Sequence, residues 1–250
     1  MMAPGKTALV IAAGQGIGAA SARALAAKGW RVGLMSTSDA CETLAAELGG
    51  FARRGSVTET ADLQALIDLA LKTTGRVDAV VNNTGHGAGS SAATQASTYD
   101  PDGNHHLLDI DDADWHHGLD LYLLNVVRMA RLVTPIMQRQ SGGAIVNISS
   151  LGTVEPRPEY PLSVLRLALH GFTKLYTDRY GRDGIRMNNV LPGFVENWPV
   201  VDAVQQGTPI GRTVKLTEIA DTVAFLLSDG AGAITGQNIL VDGGLVRAAR

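Results

Sequence analysis

Seven short apolar runs, at 7–11, 31–35, 50–53, 77–82, 144–148, 185–191 and 238–241, leave this chain few ways to fold. Their apolar character is nearly continuous rather than alternating, which marks strands buried on both faces. Between them lie stretches with helical spacing, at 17–28, 40–48, 60–73 and 114–138, then a helix carrying Leu162, Leu165, Leu169, Phe172 and Tyr176. A last helix, capped by Thr217, carries Ala220, Val223, Ala224 and Leu227. Strands that alternate with helices imply an α/β fold: a doubly wound parallel sheet with right-handed crossovers and helices on both faces. No break in composition divides the 250 residues, so a single domain is expected over 1–250.

A net charge of -3 without any basic run argues against nucleic acid or an anionic membrane as partner. The lone Cys41 cannot form an internal disulfide, which fits a reducing compartment. The apolar start is interrupted by Gly14, Gly16 and Gly18, which argues against an export signal. A soluble, cytoplasmic chain is expected.

Those glycines sit between the first strand and the first helix, in Ala12-Ala13-Gly14-Gln15-Gly16-Ile17-Gly18. Such a turn lets the backbone approach a diphosphate at a helix N-terminus, although tight left-handed turns also need glycine. The second strand ends in Ser36-Thr37-Ser38, where NAD-preferring folds place an acid for the ribose 2′-hydroxyl. Three hydroxyls suit a 2′-phosphate, which favours NADP over NAD, yet no Arg or Lys follows them; a solvated turn is the competing reading. Ser56-Val57 lies past the third strand, where an adenine ring could rest, and Asn82-Asn83-Thr84-Gly85 ends the fourth. Asn side chains there can tie strand ends together and hold a cofactor loop, although Asn-rich turns are common.

The segment 143–174 is where chemistry is expected. Ser149-Ser150 closes a strand and faces the first turn of the next helix, in the crevice where open α/β sheets bind ligands. Asn125, set among apolar residues of the long helix, is either a packing polar group or part of the catalytic set. Two segments read as substrate loops, 86–113 and the irregular 194–216. The first is either a lip over the site or a surface loop. Its histidines lack convincing ligand spacing, so no metal is expected.

Taken together, the glycine loop, NNTG at 82–85, Asn125, NISS at 147–150, IRMNNVLPG at 185–193 and ITGQNILVDGG at 234–244 resemble the short-chain dehydrogenase/reductase superfamily over nearly the whole chain. The resemblance implies a Rossmann-type domain, a nicotinamide cofactor, a small-molecule substrate and a homodimer or homotetramer. It also implies cofactor contacts from residues 12 and 14–18, from Ser36 to Ser38, Ser56, Val57 and Asn83 to Gly85, and from Arg166, Pro192, Gly193 and Val195.

Members of that superfamily normally use Asn, Ser, Tyr and Lys. Asn125 and Ser150 match, but Leu162 stands at the Tyr position and Arg166 at the Lys position; Ala12 replaces the first Gly. Leu162 can transfer no proton, and Arg166 stays charged, so it holds rather than donates. Two replacements are in reach. Tyr160 lies before Pro161 and is either a catalytic hydroxyl or a loop aromatic; His86 has a ring that titrates near neutrality. The expected function is therefore an atypical NAD(P)-dependent oxidoreductase interconverting a carbonyl and an alcohol. The alternatives are a non-redox enzyme of halohydrin-dehalogenase or lyase type using Ser150 and Arg166, and a nucleotide-binding protein without catalysis. Dehalogenases of that type replace the glycine loop with bulkier residues, which this chain does not.

Overall fold

The computed structural model describes residues 5–84, 107–157, 161–197 and 202–248. The seven apolar runs become seven parallel strands in one sheet: β1 (Thr7–Ile11), β2 (Arg31–Ser36), β3 (Phe51–Arg54), β4 (Ala79–Asn82), β5 (Gly143–Ile148), β6 (Ile185–Pro192) and β7 (Asn238–Val241), in the order β3-β2-β1-β4-β5-β6-β7. Helices α1 (Gly16–Ala27), α2 (Ala40–Glu47) and α8 (Leu216–Leu227) cover one face, where Val10, Leu34, Val81 and Val146 meet Leu25, Leu44 and Val223. On the other face α3 (Thr60–Thr74), α5 (Asn125–Arg139) and α6 (Leu165–Tyr180) bury Leu9, Val80, Ile145 and Met187 against Leu66, Met129 and Tyr176. This is the doubly wound architecture expected. Strand order reverses between β1 and β4, and a crevice opens beyond the carboxyl ends of strands at that point.

One row of the sheet is polar, buried at Asn82, Asn147 and Asn189 and reaching the surface at Asn238. Asn82, Asn147, Asn189 and Asn238 are register partners on β4 to β7. Each donates its Nδ2 to the Oδ1 of the next, at 2.8, 2.9 and 2.7 Å, and Thr173 on α6 adds a bond to Asn189. Such a ladder satisfies amides that would be costly to bury singly.

Three expectations change. The helix read at 114–138 starts earlier, as α4 (Asp112–Leu119), with Asp111 capping through the Asp114 amide. It passes through a π-helical turn at Asp120–Leu124 before α5. Thr217 does not cap α8: Lys215 occupies that place, and the carboxylate of Glu218 accepts from the Lys215 amide and pairs with Arg212. The segment 194–216 is also not wholly irregular, since Val195 bridges to Val214 and α7 (Asp202–Gly207) lies within it. The loop at 86–113 lies outside the described residues up to 106.

Candidate active site

The glycine loop leaves β1 through Ala12, whose φ of 50° is the left-handed backbone that a glycine would adopt without strain. Gly16, at φ 56°, opens α1. Gly18 has no room for a side chain, because a Cβ there would lie 2.4 Å from the Ala12 carbonyl oxygen and 2.8 Å from Asn83 Nδ2. Asn83 itself donates to that carbonyl at 3.1 Å, clasping the loop to the end of β4. Gln15, at the N-cap of α1, makes no side-chain capping bond, which leaves the first amides of the helix without a side-chain cap among the described residues. An uncapped helix start beside backbone that a Cβ would obstruct is a fitting cradle for a diphosphate.

Gly14, Gln15, Gly16, Ile17, Ser36, Thr37, Ser38, Ser56, Val57, Asn83 and Thr84 all border one cleft of about 760 Å³. So do Ser150, Arg166, Pro192, Gly193 and Val195, which puts most of the sequence-derived residues along a single surface. Gly18 lies behind it. At the β2 end the Ser36 hydroxyl donates to the Ser38 carbonyl at 2.9 Å, and Thr37 and Ser38 are exposed. The register of β2 with β3 puts Arg54, also exposed, opposite Ser36. The neighbouring strand thus sets a cation across from Ser36, although Arg54 is not among the residues bordering the cleft.

At the other end, the Ser150 hydroxyl accepts from the Gly152 amide at 3.1 Å and caps the short turn Leu151–Thr153. Arg166, on the first turn of α6, is almost wholly buried. Its Nη1 donates to the Ile148 carbonyl at 2.8 Å and its Nη2 to the Thr84 carbonyl at 2.9 Å, tying the ends of β5 and β4 together. The guanidinium lies 4.1 Å from the ring centroid of Tyr122, on the π-helical turn. Burial pushes the Arg166 pKa down while Tyr122 opposes the shift; burial raises the Tyr122 phenol while Arg166 pulls it back. The guanidinium remains a cation, since Arg starts from so high a pKa.

Leu162, at the position of the usual Tyr, is buried, and its side chain packs over Gly118 of α4. Asn125 is not brought to the cleft. It is fully buried on α5, and neither atom of its amide has a hydrogen-bond partner among the described residues. Tyr122, one turn earlier, is the residue of this helix that meets Arg166. Gly85, His86 and Tyr160 lie outside the described residues.

Four side chains to which the sequence assigns no role of their own stand at or beside the site. Tyr122 stands among the apolar residues of its helix and gives no signal beyond packing, yet its ring lies under the Arg166 guanidinium. Asn197 lies over the glycine loop, its Nδ2 3.3 Å from where a Gly16 Cβ would be. Ser149 borders the cleft and shares a 2.9 Å hydrogen bond with His170 Nε2, one turn beyond Arg166. Arg157 also enters the wall. Only the tertiary arrangement brings Asn197 and Arg157 to the cleft.

A family model described as enoyl-(acyl carrier protein) reductase matches residues 11–246. The chain belongs to the short-chain dehydrogenase/reductase superfamily. Its relatives include the oxidoreductase UcpA of Salmonella typhimurium, 31% identical over 96% of this chain and 94% of that protein. D-threitol dehydrogenase of Mycolicibacterium smegmatis is 33% identical over 96% and 92%, and 3-oxoacyl-[acyl-carrier-protein] reductase FabG of Escherichia coli 31% over 96% and 97%. No helix among the described residues is long and apolar enough to cross a membrane.

Proposed function

We propose that the protein is an NADP-preferring oxidoreductase that interconverts a carbonyl and an alcohol on a small molecule. Membership of the superfamily and relatives named as an oxidoreductase, a dehydrogenase and a reductase support NAD(P)-dependent redox chemistry in general. The observation that carries the reading is the continuity of one cleft from the uncapped start of α1 to Ser150 and Arg166. That cradle also weighs against a dehalogenase, which would fill it with larger side chains.

When bound, the cofactor supplies or accepts the hydride. Gly14 to Gly18 and Asn197 would hold its diphosphate, and Ser36, Thr37, Ser38 and Arg54 the adenosine end; a cation beside hydroxyls suits a 2′-phosphate. Ser150 orients the substrate oxygen, its own proton free because Gly152 serves as donor to it. Arg166, braced by two carbonyls and Tyr122, supports developing negative charge on that oxygen and ties the strand ends together. The proton comes from Tyr160, His86 or ordered water, since neither Leu162 nor Arg166 can deliver it. Ser150→Ala is expected to lower kcat/KM by about 10²-fold or more with unchanged cofactor affinity. Unaltered turnover in that variant would remove Ser150 from the mechanism.

A further inference from the structure

We infer that the substrate end of the cleft is built for a molecule carrying an anionic head group, a carboxylate or phosphate, held by Arg157. The inference rests on the oxidoreductase reading only in assigning this end to the substrate. The described lining of the cleft contains two cations, Arg157 and Arg166, and no carboxylate. Arg166 is already committed to the carbonyls of Ile148 and Thr84. Arg157 is not.

Arg157 follows the turn after β5, and its guanidinium lies 5.7 Å from the ring centroid of Phe194, just past β6. The two side chains therefore flank the cleft beyond Ser150, on the far side from Ser36. Among the described residues the nearest acid is Glu155, which forms a loose ion pair with Arg157 Nη2 at 3.8 Å, too far for a hydrogen bond. Its other oxygen is occupied by the Arg247 amide at 2.7 Å. Arg157 Nε is buried and has no hydrogen-bond partner among the described residues.

A guanidinium that has lost water from one donor, with an aromatic face beside it and no acid in hydrogen-bonding reach among the described residues, is prepared for an oxyanion. Carboxylate and phosphate both match its planar fork through two parallel bonds. With no acidic group in the described lining of the cleft to repel it, such a ligand would gain from both arginines.

Calorimetric titration of the purified protein with two matched pairs tests this: benzoylformate against its methyl ester, and dihydroxyacetone phosphate against dihydroxyacetone. Wild-type protein is expected to bind at least one anion about 10-fold or more tightly than its neutral counterpart. Whether the first or second pair shows the preference separates a carboxylate from a phosphate. In Arg157→Met, which keeps the apolar stem over Phe194, the preference should fall to about twofold or less, with Arg157→Lys intermediate. Equal binding of anion and neutral partner in wild type would overturn the inference, as would a preference that survives Arg157→Met. Parallel titration with NADPH keeps the two readings apart: a chain that binds no cofactor but retains the Arg157-dependent preference fails as an oxidoreductase, not as an anion binder.

Discussion

Replacing Asn147 with Val breaks the asparagine ladder in its middle, and the cost can be worked from the bonds lost. Asn147 accepts from Asn82 at 2.8 Å and donates to Asn189 at 2.9 Å, and it is fully buried. Asn189 keeps the Thr173 hydroxyl on its oxygen, so its loss is one ordinary bond, about 0.5–1.5 kcal/mol. Asn82 fares worse. Its Oδ1 is already without a partner among the described residues, and its Nδ2 would become a buried orphan costing about 1–3 kcal/mol. Val returns part of this through its burial and β-propensity, leaving an expected loss of roughly 1–4 kcal/mol in urea denaturation. Changing Asn82 to Val as well removes the orphan, so the double variant should be less destabilised than the sum of the singles by about 1–3 kcal/mol. Additivity within about 0.5 kcal/mol would refute the claim that the row acts as one hydrogen-bonded unit.

Gly18→Ala forces a Cβ to within 2.4 Å of the Ala12 carbonyl and should cost about 1–3 kcal/mol and at least tenfold in cofactor affinity. Gly171→Ala, on α6 with nothing within 4 Å, should instead be neutral or stabilising by up to about 1 kcal/mol; comparable losses in both would discredit the cradle geometry. Burial pushes the Tyr176 phenol up to about 12, with the Thr134 hydroxyl at 2.6 Å pulling the other way. The fold favours the neutral form, so this contribution is complete below the ordinary pKa near 10 and is lost as pH rises through about 12, on the order of 2 kcal/mol in all. Melting temperatures between pH 9 and 11.5 should fall less steeply in Tyr176→Phe than in wild type, and equal slopes would contradict the assignment.

Much of the fold was legible because its strands are near-continuous apolar runs, which few other structures tolerate; their limits shifted by one or two residues where pairing, not composition, sets the end. The glycine loop was legible for a similar reason, since Gly18 answers a local steric demand. Arg54 was not, because the sequence after Ser38 shows no cation and only the β2/β3 register supplies one. The contact of Tyr122 with Arg166 was not legible, because it depends on the π-helical turn, which leaves no periodic signature. Thr217 is a good capping residue by type, but the carboxylate of Glu218 places the helix start two residues earlier.

The central claim is that this cleft binds a phosphorylated nicotinamide cofactor. Calorimetric titration of wild type and Arg54→Met with NADPH and NADH tests it most directly. The account predicts stoichiometric binding, tighter for NADPH by about tenfold or more, with Arg54→Met losing most of that preference while its NADH affinity stays unchanged. Absence of binding by either cofactor would contradict the oxidoreductase reading, and equal affinity for both in wild type would contradict the role given to Ser36, Thr37, Ser38 and Arg54.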